Sequence, residues 1–326
     1  MKLHNSMLQK VQITDFITVN GQKVAQFPLF YEVFGKPLNT APIVLVNHAL
    51  TGNSNVCGTN GWWNGLIGSG KSIDINQYTI IAFNIPGNGY DGDEDNLISD
   101  YQLFTARDIA RIFAEGLEQL DIKTLYAAIG GSVGGGIAWE LAALEPKLIK
   151  HLIPVATDWK STDWLKANCL VQQQILQNSK NPVYDARLHA MLIYRSPESF
   201  KQKFDRSFND EQKMYNVESW LLHHGEKLKE RFTLSAYKQL NYVLANIDIT
   251  EGRGSFSDVV ATIASDIHII SVNSDGFFTA SEDMATFEEL KKVKTNIAHH
   301  MIDSVHGHDA FLIEFDQLGE LLSDVF

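Results

Sequence analysis

The chain has 326 residues, 44% of them hydrophobic, and its 27 basic and 39 acidic side chains give a formal net charge of −12. This length can bury a sizeable core and exceeds the needs of one minimal domain, so we expect one large domain with an insertion, or two domains. The acidic balance, without a long basic run, argues against binding to nucleic acid. No apolar run approaches the roughly 18 residues that span a bilayer, so we expect no membrane partner.

Cysteine usage and the start of the chain bear on the cellular compartment. Two cysteines, Cys57 and Cys169, are too few for a disulfide framework. Residues 1–6 lack the apolar segment of a secretory signal. These features predict a protein of the reducing cytoplasm. Neither cysteine lies on a recognisable activated turn, so both are interpreted as packing residues.

The first predicted elements, in chain order, are two strand-like stretches at residues 11–19 and 24–33 that flank the turn signal Asn20-Gly21. This pattern indicates an antiparallel hairpin, which we place at the edge of a sheet. The next apolar runs lack polar alternation and are typical of parallel strands that helices cover on both faces. These runs comprise residues 43–47, 78–84, 125–129 and 151–155.

Helical periodicity dominates much of the remaining chain. Residues 101–120 carry apolar side chains at helical spacing and are predicted to form a crossover helix. We predict an α/β fold in which residues 1–157 and 250–326 form a mostly parallel central sheet with its helices, and residues 158–249 are inserted as a helical lid. The later predicted elements are strands at 267–272 and 297–302 and helices at 282–292 and 310–322.

A glycine-rich turn carries the first candidate for catalysis. The apolar strand pattern of residues 125–129 runs into Gly130-x-Ser132-x-Gly134 and then into a helix pattern. A sharp strand-to-helix turn exposes a serine hydroxyl and aims backbone N–H groups at a developing oxyanion, an arrangement called the nucleophile elbow. The alternative is a glycine turn with a bystander serine. We predict that Ser132 is the nucleophile of an α/β-hydrolase fold.

The partners of such a serine are an acid and then a histidine, each just beyond a strand late in the chain. Asp275 follows the first of the two late strand patterns, and His308 follows the second. His308 would take the proton of the serine, and Asp275 would fix the imidazole tautomer and stabilise its cation. His306 is the rival base and is interpreted as a loop residue near the site.

The oxyanion of an acyl transfer needs two backbone N–H donors. We expect one from Val133, directly after the nucleophile. The other is expected from the loop after residues 43–47, where Leu50 is the candidate. Leu50 can equally be an ordinary apolar anchor of this loop, and the two roles are compatible because one uses the backbone and the other the side chain.

Three signals for a metal or a cofactor are discounted. His299 and His300 are adjacent on a strand and point to opposite faces, so a shared metal is not expected. The acidic loop from Asp91 has Asn96 where a calcium loop needs glycine and Gln102 where it needs a bidentate glutamate. No frame around the glycine turn supplies the Gly-x-Gly-x-x-Gly fingerprint of a dinucleotide site. We therefore expect no metal and no bound cofactor.

Five motifs spread over most of the chain carry a family resemblance. They are His48-Ala49-Leu50-Thr51-Gly52, residues 61–68, residues 130–135, residues 217–220 continuing to 225–227, and residues 307–311. Together they resemble the homoserine O-acetyltransferase family of α/β-hydrolase-fold enzymes. The resemblance implies acyl transfer from acetyl-CoA, a donor substrate, to the hydroxyl of L-homoserine in methionine biosynthesis, through an acyl-enzyme on serine. It also implies association through lid helices into a homodimer.

Carried over residue by residue, the resemblance implies the same triad that the residues alone predict. It further implies that Arg187 grips the carboxylate of the substrate, with Tyr194 beside it, and that Asp309 pairs with the ammonium group. The alternatives are a helix-surface salt bridge for Arg187 and a packed lid aromatic for Tyr194.

Two alternative functions stay open. A lidded esterase or thioesterase would resolve the same acyl-enzyme with water, and a catalytically silent small-molecule binder would keep only the fold. An amino-acid acceptor site distinguishes transfer from hydrolysis. The residues also leave open whether the acyl group is acetyl, succinyl or propionyl, and whether the acceptor is homoserine or serine.

Overall fold

Strands and helices alternate along most of the chain in the computed structural model, which describes residues 7–326. The strands are β1 (Gln9–Ile17), β2 (Lys23–Gly35), β3 (Ile43–Asn47), β4 (Ile67–Gly68), β5 (Ile73–Asp74), β6 (Thr79–Phe83), β7 (Leu125–Gly131), β8 (Ile149–Val155), β9 (Phe208–Asn209), β10 (Met214–Tyr215), β11 (Asp266–Val272) and β12 (Ile297–Ile302). The α-helices are α1 (Ala106–Gln119), α2 (Val133–Leu144), α3 (Asp163–Asn178), α4 (Pro182–Tyr194), α5 (Pro197–Phe204), α6 (Asn216–Lys229), α7 (Leu234–Ala245), α8 (Phe256–Thr262), α9 (Ala280–Leu290) and α10 (Phe315–Leu321). Short 3-10 helices span Glu94–Asn96 and Gly307–Leu312.

Eight strands form the central sheet in the order β1-β2-β6-β3-β7-β8-β11-β12. The pairs β1 with β2 and β2 with β6 are antiparallel, and all later neighbours from β6 to β12 are parallel. The predicted hairpin is confirmed, with β1 at the edge of the sheet. The predicted fold class, an α/β-hydrolase fold around a mostly parallel sheet, is confirmed as well.

The central strands are apolar without alternation because both faces of the sheet are covered. Every residue of β3 and β6 is buried. Neighbouring side chains of β3 enter different cores: Leu45 packs in a core with Ile109 of α1 and Ile137 of α2. Val44 instead packs in a second core that contains Trp63. The sheet is therefore the middle of three layers.

Three predicted helices have other bounds in the structure, and the smallest difference is that of α9, which spans Ala280–Leu290 where residues 282–292 were predicted. The crossover helix begins at Ala106, not at residue 101, because Thr105 caps it in a reciprocal capping box with Asp108. The helix predicted over residues 310–322 is instead the 3-10 helix followed by α10. These separate at Ile313, where the helical hydrogen bonds change from the 3-10 to the α pattern.

The helices α3 to α7 lie between β8 and β11, and the short hairpin β9–β10 within them was not predicted. Lys160 and Asp248 form an antiparallel bridge, and the Ser161 N–H donates to the Ile247 carbonyl. The residues at which the chain enters this helical segment are thus paired with those at which it leaves. The division into a core and a lid at residues 158 and 249 remains a prediction. None of the helices within residues 7–326 is long and apolar enough to cross a membrane.

Candidate active site

Ser132 lies between the end of β7 and the start of α2 in a strained turn. Its φ of +57° and ψ of −129° are unusual for a residue with a side chain, and such a conformation costs on the order of 1–3 kcal/mol. A Cβ on Gly134 would lie 2.4 Å from the Asn47 carbonyl oxygen, and one on Gly130 would lie 2.4 Å from the backbone of Gly134. Glycine at both positions therefore allows α2 to start directly against β7 and β3.

Asp275 and His308 form a direct, buried hydrogen bond. Asp275 follows β11, and His308 lies in the 3-10 helix after β12. His308 Nδ1 is 2.7 Å from Asp275 Oδ2. The other oxygen, Oδ1, accepts the backbone N–H groups of Phe277 at 2.7 Å and Phe278 at 3.0 Å. The carboxylate is thus held on one side by the backbone and orients the imidazole on the other.

Aromatic side chains surround the imidazole of His308. The ring centroids of Tyr194, Phe277, Phe278 and Phe311 lie between 5.1 and 5.7 Å from that of His308. Phe278 is stacked at 24°, and Phe277 meets the ring edge-on at 70°. This packing leaves the imidazole little room to rotate away from Asp275.

Most of the predicted site residues line a single cavity of about 170 Å³. Asp275 lies behind His308, and Val133 is buried in the first turn of α2. No hydrogen bond within residues 7–326 joins Ser132 to His308, and catalytic hydrogen bonds often tighten only when substrate binds. The predicted residues that line the cavity are Leu50, Ser132, Arg187, Tyr194, His308 and Asp309.

The two predicted oxyanion donors, one in Leu50, which lines the cavity, and one in Val133, directly after Ser132, have no protein acceptor in the described part of the chain. Leu50 follows β3 in a turn closed by the Gly52 N–H and the Ala49 carbonyl, which are 2.8 Å apart. Within the described part of the chain, neither the Leu50 N–H nor the Val133 N–H donates a hydrogen bond to protein. A group that develops negative charge in the cavity could therefore use both donors.

Charged side chains occupy the side of the cavity near the helical segment. Arg195 Nη1 lies 3.9 Å from Asp309 Oδ2. Burial raises the pKa of Asp309 above its ordinary value, and the positive charges of Arg187 and Arg195 offset only part of this increase. Burial also raises the pKa of Tyr194 well above its ordinary value, so this phenol is a neutral hydrogen-bonding group. The cavity thus combines an anionic and a cationic subsite.

Arg231 lines the same cavity and was not predicted. Its Nη1 donates to the Thr51 carbonyl at 2.9 Å. Burial lowers the pKa of Arg231, and the positive charge of Arg187 lowers it further. The residue comes from the connection between α6 and α7, where no strand end or glycine turn marks it. Only the tertiary structure brings it to the loop that carries Leu50.

The rival and discounted residues lie elsewhere. His306 Nδ1 is 2.9 Å from Arg195 Nη2, and its side chain is absent from the cavity lining. His299 Nε2 is 2.8 Å from Ser271 Oγ, whereas His300 stacks on His268, so the two neighbours face opposite ways as predicted. Residues 7–326 contain no cluster of three or more histidine, cysteine or acidic side chains suited to a metal ion.

Comparison with known proteins places this geometry in a family. A family model described as alpha/beta hydrolase fold matches residues 42–178. A homoserine O-acetyltransferase from Salinibacter ruber is 30% identical to the chain, over 97% of each protein. The chain belongs to the homoserine O-acetyltransferase family. A crystal structure of the homoserine O-acetyltransferase from Staphylococcus aureus is 27% identical, with a TM-score of 0.83 over 98% of this chain and 95% of that one.

Hydrolases share the fold of this homoserine O-acetyltransferase family member. The crystal structure of esterase E22 superimposes with a TM-score of 0.87 over 98% of this chain and 99% of that one, at 16% identity. This identity shows a common fold alone. The architecture therefore does not by itself separate transfer from hydrolysis, and the cavity side chains have to make the distinction.

Gly307→Ala tests how closely the end of α4 packs on the histidine loop. Gly307 has a φ of +67°, and an added Cβ would lie 2.7 Å from the Tyr194 carbonyl oxygen and 2.9 Å from the Ser196 nitrogen. We expect a loss of about 2 kcal/mol or more in the free energy of unfolding, measured with urea. The control is Gly276→Ala, beside Asp275, where a Cβ meets nothing within 4 Å. If both variants lose less than about 0.5 kcal/mol in the free energy of unfolding, the close packing of the end of α4 on Gly307 is contradicted.

Proposed function

We propose that the protein transfers an acetyl group from acetyl-CoA to the hydroxyl of L-homoserine, through an acyl-enzyme on Ser132. The observation that carries the proposal is the single cavity that joins a candidate nucleophile and base to an amino-acid-sized set of opposite charges. Membership of the homoserine O-acetyltransferase family supports it. The reaction would make O-acetylhomoserine for methionine biosynthesis.

In the acylation step, His308 takes the proton of Ser132 as the hydroxyl oxygen attacks the thioester carbonyl. The carbonyl electron pair moves onto oxygen, where the N–H groups of Leu50 and Val133 stabilise the oxyanion. The intermediate then collapses, the carbon–sulfur bond breaks, and His308 returns the proton to the departing sulfur of CoA. Asp275 holds the imidazole in the required tautomer throughout.

In the second step, the hydroxyl of homoserine replaces CoA. His308 removes its proton, the oxygen attacks the acyl carbon, and the same two N–H groups stabilise the second oxyanion. Collapse breaks the bond to Ser132 Oγ and returns the proton to it. All proton transfers in this scheme run through His308, so the scheme needs no metal or further cofactor. Acetyl-CoA takes part as a substrate.

The acceptor is held by the charged side of the cavity. We assign the carboxylate of homoserine to Arg187, whose guanidinium can bind it bidentately. The ammonium is assigned to Asp309, and Tyr194 donates or accepts one further hydrogen bond. Arg195, at 3.9 Å from Asp309, balances that carboxylate before the substrate arrives. Hydrolysis needs none of these contacts, which is why they favour transfer over an esterase.

The likeness in fold to esterase E22 supports a second candidate, an esterase or thioesterase that resolves the acyl-enzyme with water. One assay separates the two functions. Release of free CoA thiol is followed from acetyl-, propionyl- and succinyl-CoA, with and without L-homoserine and L-serine. We expect release that depends on homoserine and is fastest with acetyl-CoA. Ser132→Ala should lower it by about 10³-fold or more. Release that does not depend on an acceptor would establish the hydrolase instead.

Arg187→Ala tests the acceptor site. Loss of a charged hydrogen-bonded pair costs about 1.5–3 kcal/mol, so the KM for homoserine should rise about 10- to 100-fold. The rate of acylation by acetyl-CoA should change little, because the first step does not use this side chain. Arg187→Lys keeps the charge without the bidentate geometry, so its KM for homoserine should lie between that of the unaltered protein and that of Arg187→Ala. Equal losses in acylation and in acceptor use would remove the assignment of Arg187.

We also propose that the enzyme is a cytoplasmic homodimer that associates through the helical segment. Both cysteines are free and buried, which suits a reducing compartment. Exposed apolar side chains lie on three helices of this segment that pack side by side, α3, α4 and α6. These are Leu170, at 60% exposure, with Val171, Leu192 and Leu222. We assign these side chains to the interface with the second copy, since apolar side chains on neighbouring helices are the kind of surface that a partner covers.

Leu170→Glu tests the dimer. A charge at the centre of an apolar interface is expected to dissociate it, because the carboxylate would be buried without a partner. Sedimentation equilibrium should give twice the 36.5 kDa of one chain for the unaltered protein and a single-chain mass for the variant. Val293→Glu, which changes an exposed residue just after α9, is the control and should stay dimeric. A single-chain mass for the unaltered protein would refute the proposal.

A further inference from the structure

The turn after β3 carries one of the two assigned oxyanion donors and rests on a buried histidine. His48 directly precedes this turn and is 1% exposed. Its Nδ1 lies 2.8 Å from the Ala49 carbonyl oxygen, and its Nε2 lies 3.0 Å from the Ile85 backbone nitrogen. The imidazole thus connects the oxyanion turn to the segment that follows β6.

The two hydrogen bonds determine the tautomer of His48. A backbone N–H can only donate, so Nε2 must accept the bond from Ile85 and carries no proton. The proton is therefore on Nδ1, which donates to the Ala49 carbonyl. Burial lowers the pKa of His48 to about 4, so the ring remains neutral near pH 7. His48 is a fixed donor to the Ala49 carbonyl under working conditions.

The Ala49 carbonyl and the Leu50 N–H belong to the same peptide group. In a trans peptide these two groups point in opposite directions, and the described residues contain no cis peptide bond. Hydrogen bonds to the carbonyl from His48 Nδ1 and the Gly52 N–H therefore set the direction in which the Leu50 N–H points. That N–H has no protein acceptor and adjoins the cavity that Ser132 lines.

A buried polar network keeps the far side of His48 in place. Asn88 Nδ2 lies 3.4 Å from His48 Nε2 and donates to Asn84 Oδ1 at 3.0 Å. Asn84 Nδ2 donates to Ser54 Oγ at 2.8 Å. Ser54 Oγ in turn donates to Glu32 Oε2 at 2.6 Å. Because these residues are buried and hydrogen-bonded, the end of β6 provides a rigid support for the imidazole.

We propose that His48 is a positioning residue for catalysis: its Nδ1–H holds the Ala49 carbonyl so that the Leu50 N–H is aimed at the oxyanion before substrate binds. The proposal rests on the proposed acyl-enzyme mechanism and on the oxyanion role of Leu50, but not on the identity of the acceptor. His48 is absent from the residues that line the cavity, so it would act on the reaction through the turn alone. Because the turn is already ordered, the Leu50 N–H does not have to reorient each time an oxyanion forms.

His48→Asn and His48→Leu are matched in shape and differ in one hydrogen bond. Both side chains lose the bond to Ile85, whereas the amide of asparagine can take the place of Nδ1 and donate to Ala49. We expect His48→Leu to lower the acylation rate about 10- to 100-fold with little change in KM, since loss of a whole oxyanion donor costs about 10²–10³-fold. His48→Asn should keep at least tenfold more activity than His48→Leu.

A further variant and a second measurement distinguish the proposed role of His48 from a loss of folding. His48→Gln can keep the acceptor for Ile85 at the position of Nε2 but loses the donor to Ala49, so it should resemble His48→Leu in rate. The inhibition constant of a small alkylboronic acid, which forms a tetrahedral anion on the serine, should rise in parallel with the loss of acylation rate. A purely structural role would lower the melting temperature and leave this constant unchanged.

Acylation is measured with p-nitrophenyl acetate, whose burst of nitrophenol needs the serine and the oxyanion site but no homoserine. A burst without later transfer to homoserine in the unaltered protein would overturn the proposed acetyltransferase and leave the role of His48 testable. Nitrophenol release that Ser132→Ala leaves unchanged would overturn the acyl-enzyme mechanism and the role of His48 with it. Equal acylation rates and boronate affinities for His48→Asn and His48→Leu would overturn the proposal for His48 alone.

Discussion

Parallel pairing of the central strands is the constraint on which the site depends. The carboxyl ends of parallel strands meet at one edge of a sheet, so loops that are distant in sequence converge there. Leu50 follows β3, Ser132 follows β7, Asp275 follows β11, and His308 follows β12. The direct bond between Asp275 and His308 exists because β11 and β12 are neighbours in the sheet. The candidate catalytic groups are thus anchored at the ends of paired strands of the central sheet.

The helical segment adds what a bare α/β-hydrolase core lacks. It brings Arg187 and Tyr194 from α4 over the ends of the strands, and the end of α4 packs directly against Gly307, next to His308. The helix that carries Arg187 and Tyr194 is therefore packed against the loop that carries His308. In the proposed reaction, this contact would couple binding of an amino-acid acceptor to the position of the base. An esterase with the same core has no need of such a connection.

The two backbone donors assigned to the oxyanion site, the N–H groups of Val133 and Leu50, are positioned in different ways. At Ser132, glycines at close contacts and a strained backbone place the Val133 N–H at the start of α2. At Leu50, side chains hold the turn, with His48 bound to the Ala49 carbonyl and Arg231 bound to the Thr51 carbonyl. The hydrogen bonds to the Ala49 and Thr51 carbonyls order the Leu50 turn before any substrate is present.

The sequence by itself determined the α/β fold class, the edge hairpin, most buried strands and three residues that line the cavity, Leu50, Ser132 and His308, while the family resemblance added Arg187, Tyr194 and Asp309. Those features depend on local patterns: apolar runs, glycine turns and short motifs. Only the tertiary structure decided that Arg231 bonds to the Thr51 carbonyl and that His48 bonds to Ile85, because those contacts join segments far apart in the chain. The start of α1 at Ala106 was missed because the Thr105 cap outweighs apolar periodicity. Long-range packing and hydrogen bonding leave no trace in the spacing of neighbouring residues.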